Sequence, residues 1–209
     1  MALDASPLGR EQSVDEDDGL HGLAIASAAL AVVITVATCL ALPATALAAL
    51  QYAGGGRVEP FLALFSWVTA VVAAGALLPA WIVTGLWLRA ARRRIERRDQ
   101  WHVGFGTTSG FLCWVVPVVN LYWPLPIVRE LHHTAVDGAR RVRVGLGLWW
   151  ACWIGAFIAG RIEGRVFDDQ GRGDPATATI VWGCIATALT VVACVQWVRV
   201  VRTTTESLR

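Results

Sequence analysis

Residues 60–98 read PFLALFSWVTAVVAAGALLPAWIVTGLWLRAARRRIERR. Twenty-nine residues pass without a formal charge, and then Arg89, Arg92, Arg93, Arg94, Arg97 and Arg98 crowd into ten positions. A helix rises about 1.5 Å per residue and the hydrocarbon of a bilayer is about 30 Å thick, so a crossing takes roughly 20 residues. This stretch therefore supplies a crossing followed by a basic stop, and arginine retained beside a span marks the cytoplasmic side. The same pattern extends in both directions. All charges fall outside five uncharged runs, at 22–56, 60–88, 101–128, 144–160 and 175–198. With 56% hydrophobic and 16% charged residues in 209, against about 25% charged in soluble proteins, the chain is expected to reside in a membrane.

Four runs make clean spans, at about 23–48, 61–88, 144–160 and 176–198. The fifth contains Gly104, Gly106, Gly110, Pro117, Asn120, Pro124 and Pro126, and an unbroken helix through it would lose backbone hydrogen bonds that lipid cannot replace. The fold expected is all-α: an integral membrane helical bundle of four transmembrane helices plus a Pro-broken re-entrant or interfacial segment over 101–136. Arginine counts agree. If 101–128 does not cross, the clusters Arg89–Arg98, Arg129–Arg143 and Arg199–Arg209 share the cytoplasmic side with Arg10, and only Arg57, Arg161, Arg165 and Arg172 lie outside. Both termini are then cytoplasmic.

Residues 1–20 hold six acidic side chains against Arg10, leaving +7 on the rest of the chain. That segment is expected to be a disordered acidic cytoplasmic tail, with 21–209 forming the membrane domain. Ala46-Leu47-Ala48 is like a signal-cleavage site, but the preceding stretch is acidic and the apolar core too long, so a retained helix is expected. All 18 basic residues are arginine, which suggests a GC-rich bacterial genome and a bacterial cell membrane. The five cysteines, Cys39, Cys113, Cys152, Cys184 and Cys194, lie in apolar runs and read as packing thiols, not a disulfide framework.

Within the spans, Gly147, Ala151, Gly155 and Ala159 recur every fourth residue and permit close approach of a neighbouring helix; Thr179, Gly183 and Thr187 repeat the spacing. Trp149, Trp153 and Phe157 lie on another face. Trp67, Trp87, Trp101 and Trp197 fall near run ends, where indoles act as interfacial anchors.

The segment 110–135, GFLCWVVPVVNLYWPLPIVRELHHTA, carries Trp114, Pro117, Asn120, Leu121, Pro124, Val128, Glu130 and Leu131. These positions resemble the W-x-x-P-x-x-N-L-x-x-P pattern, followed by a helix with E-L-W, of an actinobacterial membrane family, the domain of unknown function numbered 4328. The resemblance covers about residues 60–202. His132 stands where that family usually has tryptophan. What it implies is the helical fold and the membrane location, with no mechanism attached. From the residues themselves the segment reads as a broken helix followed by an amphipathic one at about 126–136, with Ile127, Leu131 and Ala135 on one side and Arg129, Glu130 and His133 on the other.

Chemistry is sparse. Glu130, His133 and Asp137 share a helical face at a spacing that metal ligands could use, but no H-E-x-x-H or comparable signature exists, and no metal or cofactor is expected. No ionisable residue falls within the four spans, which argues against an ion-coupled carrier. The leading expectation is a non-enzymatic multi-pass protein organising anionic lipid, or a protein partner or second copy, at the cytoplasmic face. Arg89, Arg92, Arg93, Arg94, Arg97, Arg98, Arg140, Arg141 and Arg143 would provide the platform, and Asp15 to Asp18 would compete for it. The alternative is a membrane enzyme or small-molecule binding protein using Asn120 to Asp137. Nothing suggests nucleic-acid binding.

Overall fold

The computed structural model describes residues 7–99, 122–136, 145–168 and 175–208, with side chains described from Gly19 onward except at 98–99, 167–168 and 175. Five α-helices occupy these residues: α1 (Pro7–Ala53), α2 (Pro60–Asp99), α3 (Pro124–Val136), α4 (Leu146–Asp168) and α5 (Pro175–Ser207). Three of them, over Gly19–Ala53, Pro60–Arg97 and Ala176–Ser207, are long and apolar enough to cross a membrane. The run expected to span at 144–160 forms the first part of α4. Its fifteen uncharged residues from Leu146 to Gly160 reach about 22 Å before Arg161, short of the roughly 30 Å of hydrocarbon. The expected re-entrant part at 101–121 lies outside the described residues.

Helix α1 begins at Pro7 instead of after residue 20, so much of the acidic segment expected to be disordered is helical. A nucleated helix extends at little cost per residue, and proline at its first turn has no amide to leave unbonded. Polar side chains inside α1 satisfy themselves: Thr35, Thr38 and Thr45 each donate to the carbonyl four residues back, at 2.8, 2.8 and 3.0 Å. The helix closes with a paired turn in which Gly56 N–H donates to Gln51 O and Gly55 N–H to Tyr52 O, both at 3.0 Å. Gly55 has φ +72°, a left-handed conformation that glycine adopts without steric penalty. Glu59 N–H then donates to Gln51 Oε1 at 3.1 Å, and Pro60 opens α2.

The chain divides into two compact units. One comprises Leu30–Ala80 and Val144–Val198. Its buried positions are largely small, with Ala37, Ala44, Ala49, Ala159, Ala186 and Ala193 under 8% exposed, while Val36, Leu40, Leu64, Trp67 and Leu78 are 48–64% exposed. Lipid is as apolar as leucine, so there is no gain in hiding large side chains from it, and helices associate through small residues instead. Trp149 and Trp197 are exceptions, stacking with ring centroids 4.8 Å apart. A methyl group at Gly155 would stand 3.0 Å from Leu189 Cδ1, so α4 and α5 fit small against large at this point.

The other unit comprises Met1–Ala29, Trp81–Arg143 and Arg199–Arg209. Its core is made of large residues: Trp87, Ile95, Val128, Leu131, Val200 and Leu208 are 0–3% exposed. Buried polar groups pair across helices. Ser27 Oγ and Thr84 Oγ1 lie 2.9 Å apart, and Trp87 Nε1 donates to Thr205 Oγ1 at 3.1 Å. Such pairing removes the cost of an unsatisfied buried group, about 1–3 kcal/mol each.

Two tryptophans expected as interfacial anchors are buried: Trp87 is 0% and Trp197 6% exposed. Distance along a helix places a residue in depth but says nothing of its face: Trp87 meets Thr205 on α5, and Trp197, on α5 itself, meets Trp149 on α4. Trp67 is 64% exposed; Trp101 lies outside the described residues.

Candidate functional site

The last turns of α2 sort their side chains by face. Trp87, Leu88, Ala91 and Ile95 are buried, whereas Arg89, Arg93 and Arg97, four residues apart, are exposed. Arg92 pairs with Glu96 one turn on, at 2.7 Å. Arg94 turns inward and its Nε donates to Leu208 O at 2.9 Å, holding the end of α5 against α2. Arg93 has no ion pair among the described residues. Cations at the C-terminal end of a helix also oppose the partial negative charge of its free carbonyls.

Between the Gly19–Leu23 stretch of α1 and this arginine face lies a cavity of about 350 Å³, lined by Gly19, Leu20, Leu23, Ala90, Arg93, Arg94 and Arg97. Gly19 leaves its wall open, since a methyl group there would meet nothing within 4 Å. Three arginines line the cavity beside a short apolar floor, and a guanidinium presents fork-shaped donors to an anion while the floor suits an attached apolar group. Of the expected platform, Arg89, Arg92, Arg93, Arg94 and Arg97 are thus gathered on α2, with three of them in the cavity. The side chain of Arg98, and all of Arg140, Arg141 and Arg143, lie outside the described residues.

Helix α3 carries the second half of the sequence motif. Pro124, Ile127, Val128, Leu131 and His132 are buried, Glu130 is half-buried, and Arg129 and His133 are exposed, which is the amphipathic division expected. Trp114, Pro117, Asn120 and Leu121 lie outside the described residues. His132, 5% exposed, places Nδ1 2.8 Å from Thr204 Oγ1 on α5. Burial, and then the charge of neighbouring His133, hold its imidazole below the usual histidine value. The triad Glu130, His133 and Asp137 includes a residue outside the described set. Among described residues, no three His, Cys, Asp or Glu come together in a way that could hold a metal ion.

The small stripe on α4 is split. Gly147 and Ala151 are exposed, and a methyl group at Gly147 would meet nothing. Gly155 receives Leu189, and Ala159 is 2% exposed. On α5, a methyl group at Gly183 would stand 2.8 Å from Glu163 Oε1 and 3.0 Å from Leu42 Cδ1. Glu163 was hidden from sequence reasoning because the apolar run ends at Gly160, while the helix continues to Asp168. Only the helix's continuation brings that carboxyl back onto α5.

No curated protein and no solved structure matches the chain. A family model does, over residues 61–206, from the first turn of α2 to the last turn of α5. The arginine face, α3 and the His132–Thr204 contact all fall inside that match, and the Gly19–Leu23 wall of the cavity falls before it. Since the match takes in well over half of the 209 residues, the chain belongs to the family described as Domain of unknown function (DUF4328).

Proposed function

We propose that this is a non-enzymatic, multi-pass protein of the bacterial cell membrane that binds anionic lipid headgroups on the arginine face of α2, at the cytoplasmic surface. The observation that carries the reading is the composition of one cavity: Arg93, Arg94 and Arg97 beside Leu20, Leu23 and Ala90. A phospholipid has the same two-part chemistry, a phosphate joined to an apolar body. Each basic residue near an anionic surface contributes about 1 kcal/mol. Arginine bias supports a cytoplasmic side for this face and for both termini. The alternative use of Asn120 to Asp137 as a reaction site draws little support from α3, whose His132 is engaged by Thr204 and whose His133 is exposed.

The test is lipid retention by the full chain in nanodiscs of phosphatidylcholine with increasing phosphatidylglycerol, read by native mass spectrometry. The wild type should retain phosphatidylglycerol selectively. Arg93→Gln with Arg97→Gln should weaken retention by about 2 kcal/mol, roughly thirtyfold. Equal retention of the two lipids by the wild type would refute the proposal. Helix α1 carries Asp15 to Asp18 directly before the Gly19 wall, so removing residues 1–18 should strengthen retention.

A further inference from the structure

In the unit that comprises Leu30–Ala80 and Val144–Val198, Glu163 is a half-buried carboxyl on α4, packed against a stretch of α5 that carries no formal charge from Pro175 to Val198. Its Oε1 occupies the space that a side chain at Gly183 would take, 2.8 Å from where a methyl group would sit, and Leu42 of α1 reaches the same spot. One turn earlier on the same face of α5, Thr179 is 1% exposed and its Oγ1 has no hydrogen-bond partner. Both features are unusual. Threonines at Thr35, Thr38, Thr45 and Thr190 bond to their own helix backbone, whereas an unbonded buried hydroxyl costs about 1–3 kcal/mol. Carboxyls packed among apolar helices are expensive when ionised, and that expense is usually tied to function.

The groups around Glu163 favour no fixed ion pair. From Gly22 to Ala53, α1 offers only Cys39 and Tyr52 as titratable groups, both exposed. Between Pro175 and Val198, α5 offers only Cys184 and Cys194. The part of α2 in this unit, Pro60–Ala80, has none. On α4 itself, Arg161 lies over the Phe157 ring at 5.1 Å and Arg165 is exposed. The side chain of Asp168 and residues 169–174 lie outside the described set.

We infer that Glu163, seated on Gly183 one turn from the Thr179 hydroxyl, is a reversible proton-binding site. As the neutral acid it stays against Gly183 and Leu42, where its O–H can be donated to Thr179 Oγ1. On deprotonation the proton passes to water, and the carboxylate leaves the notch for solvent. Proton occupancy thereby sets how closely α4 packs on α5 and α1. This site is separate from the arginine cavity, and its test does not depend on lipid binding.

The experiment is modification of the full chain in phosphatidylcholine nanodiscs by dicyclohexylcarbodiimide, which attacks protonated carboxyls in apolar surroundings, mapped by peptide mass spectrometry between pH 5 and 8. Glu163 should be modified severalfold more than the exposed Glu59 and Glu206, and its modification should fall as pH rises. Gly183→Ala, which fills the notch, should abolish that preference. Thr179→Val should lower the pH at which modification is half lost, and Thr179→Ser should restore it. Modification of Glu163 no greater than that of Glu59 and Glu206 in the wild-type protein would overturn the inference whether or not the variants fold, as would a pH-independent extent.

Discussion

The two units bury opposite kinds of side chain. In the unit of Leu30–Ala80 and Val144–Val198, alanines such as Ala37, Ala44 and Ala193 face inward, and Val36, Leu47, Leu64 and Trp67 face outward. In the unit of Met1–Ala29, Trp81–Arg143 and Arg199–Arg209, Trp87, Ile95, Val128 and Val200 face inward and arginines outward; its exposed apolar residues are Ile25, Ile82, Leu86, Tyr122 and Trp123. One sequence thus follows two rules of burial because it meets two solvents. Water drives large apolar groups inside; lipid is indifferent to them and rewards close backbone approach.

The strongest test of that contrast is a matched pair of tryptophan truncations. Trp87→Ala removes a fully buried indole and strands the Thr205 hydroxyl, so it should cost about 3–5 kcal/mol in detergent unfolding. Trp67→Ala, on the outward face, should cost within about 0.5 kcal/mol. Equal losses would mean that burial in the two units has the same energetic meaning. Next in size is overpacking. Ala37→Leu, at a position 5% exposed, should destabilise by about 1–3 kcal/mol.

A smaller effect is expected at the His132–Thr204 contact, and its direction follows from the depressed basicity of His132. The folded protein favours the neutral imidazole, so this stabilisation is complete above the ordinary value of 6.5 and is lost as pH falls through it towards the lower folded value. The melting temperature should drop between pH 7.5 and 5, and His132→Gln should flatten that dependence. The smallest change expected is at Gly147→Ala. Its methyl group meets nothing and removes glycine's helix penalty, so the variant should be neutral or up to about 1 kcal/mol more stable. A loss of stability there would indicate that a second copy covers this face.

Helix identity and membrane character were legible because charge-free runs of this length admit few other readings. The faces were not. Trp87 meets Thr205 at a separation of 118 residues and His132 meets Thr204 at 72, and no local pattern encodes which threonine a distant ring will reach. The stripe at Gly147, Ala151, Gly155 and Ala159 was visible as spacing, yet Gly147 and Ala151 are exposed, because in its first turns α4 meets α5 through Trp149, stacked on Trp197, and not through the small residues. Glu163 was missed for a related reason: hydropathy ended the span at Gly160, while backbone hydrogen bonding carried the helix on. The arginine cluster was evident from sequence, but the apolar floor that turns it into a cavity comes from Leu20, the last residue of the segment expected to be disordered, and Leu23, at the start of the first expected span.

The most direct measurement is the sidedness of α3 and with it the arginine face. His133, exposed on α3, is replaced by cysteine in a background lacking the five native cysteines, and an impermeant thiol reagent is applied to intact cells and to inverted vesicles. Labelling confined to inverted vesicles is the result expected if α3 and the basic clusters share the cytoplasmic surface. Labelling of intact cells would place α3 outside, give residues 101–121 a membrane crossing, and contradict the proposed lipid-binding platform.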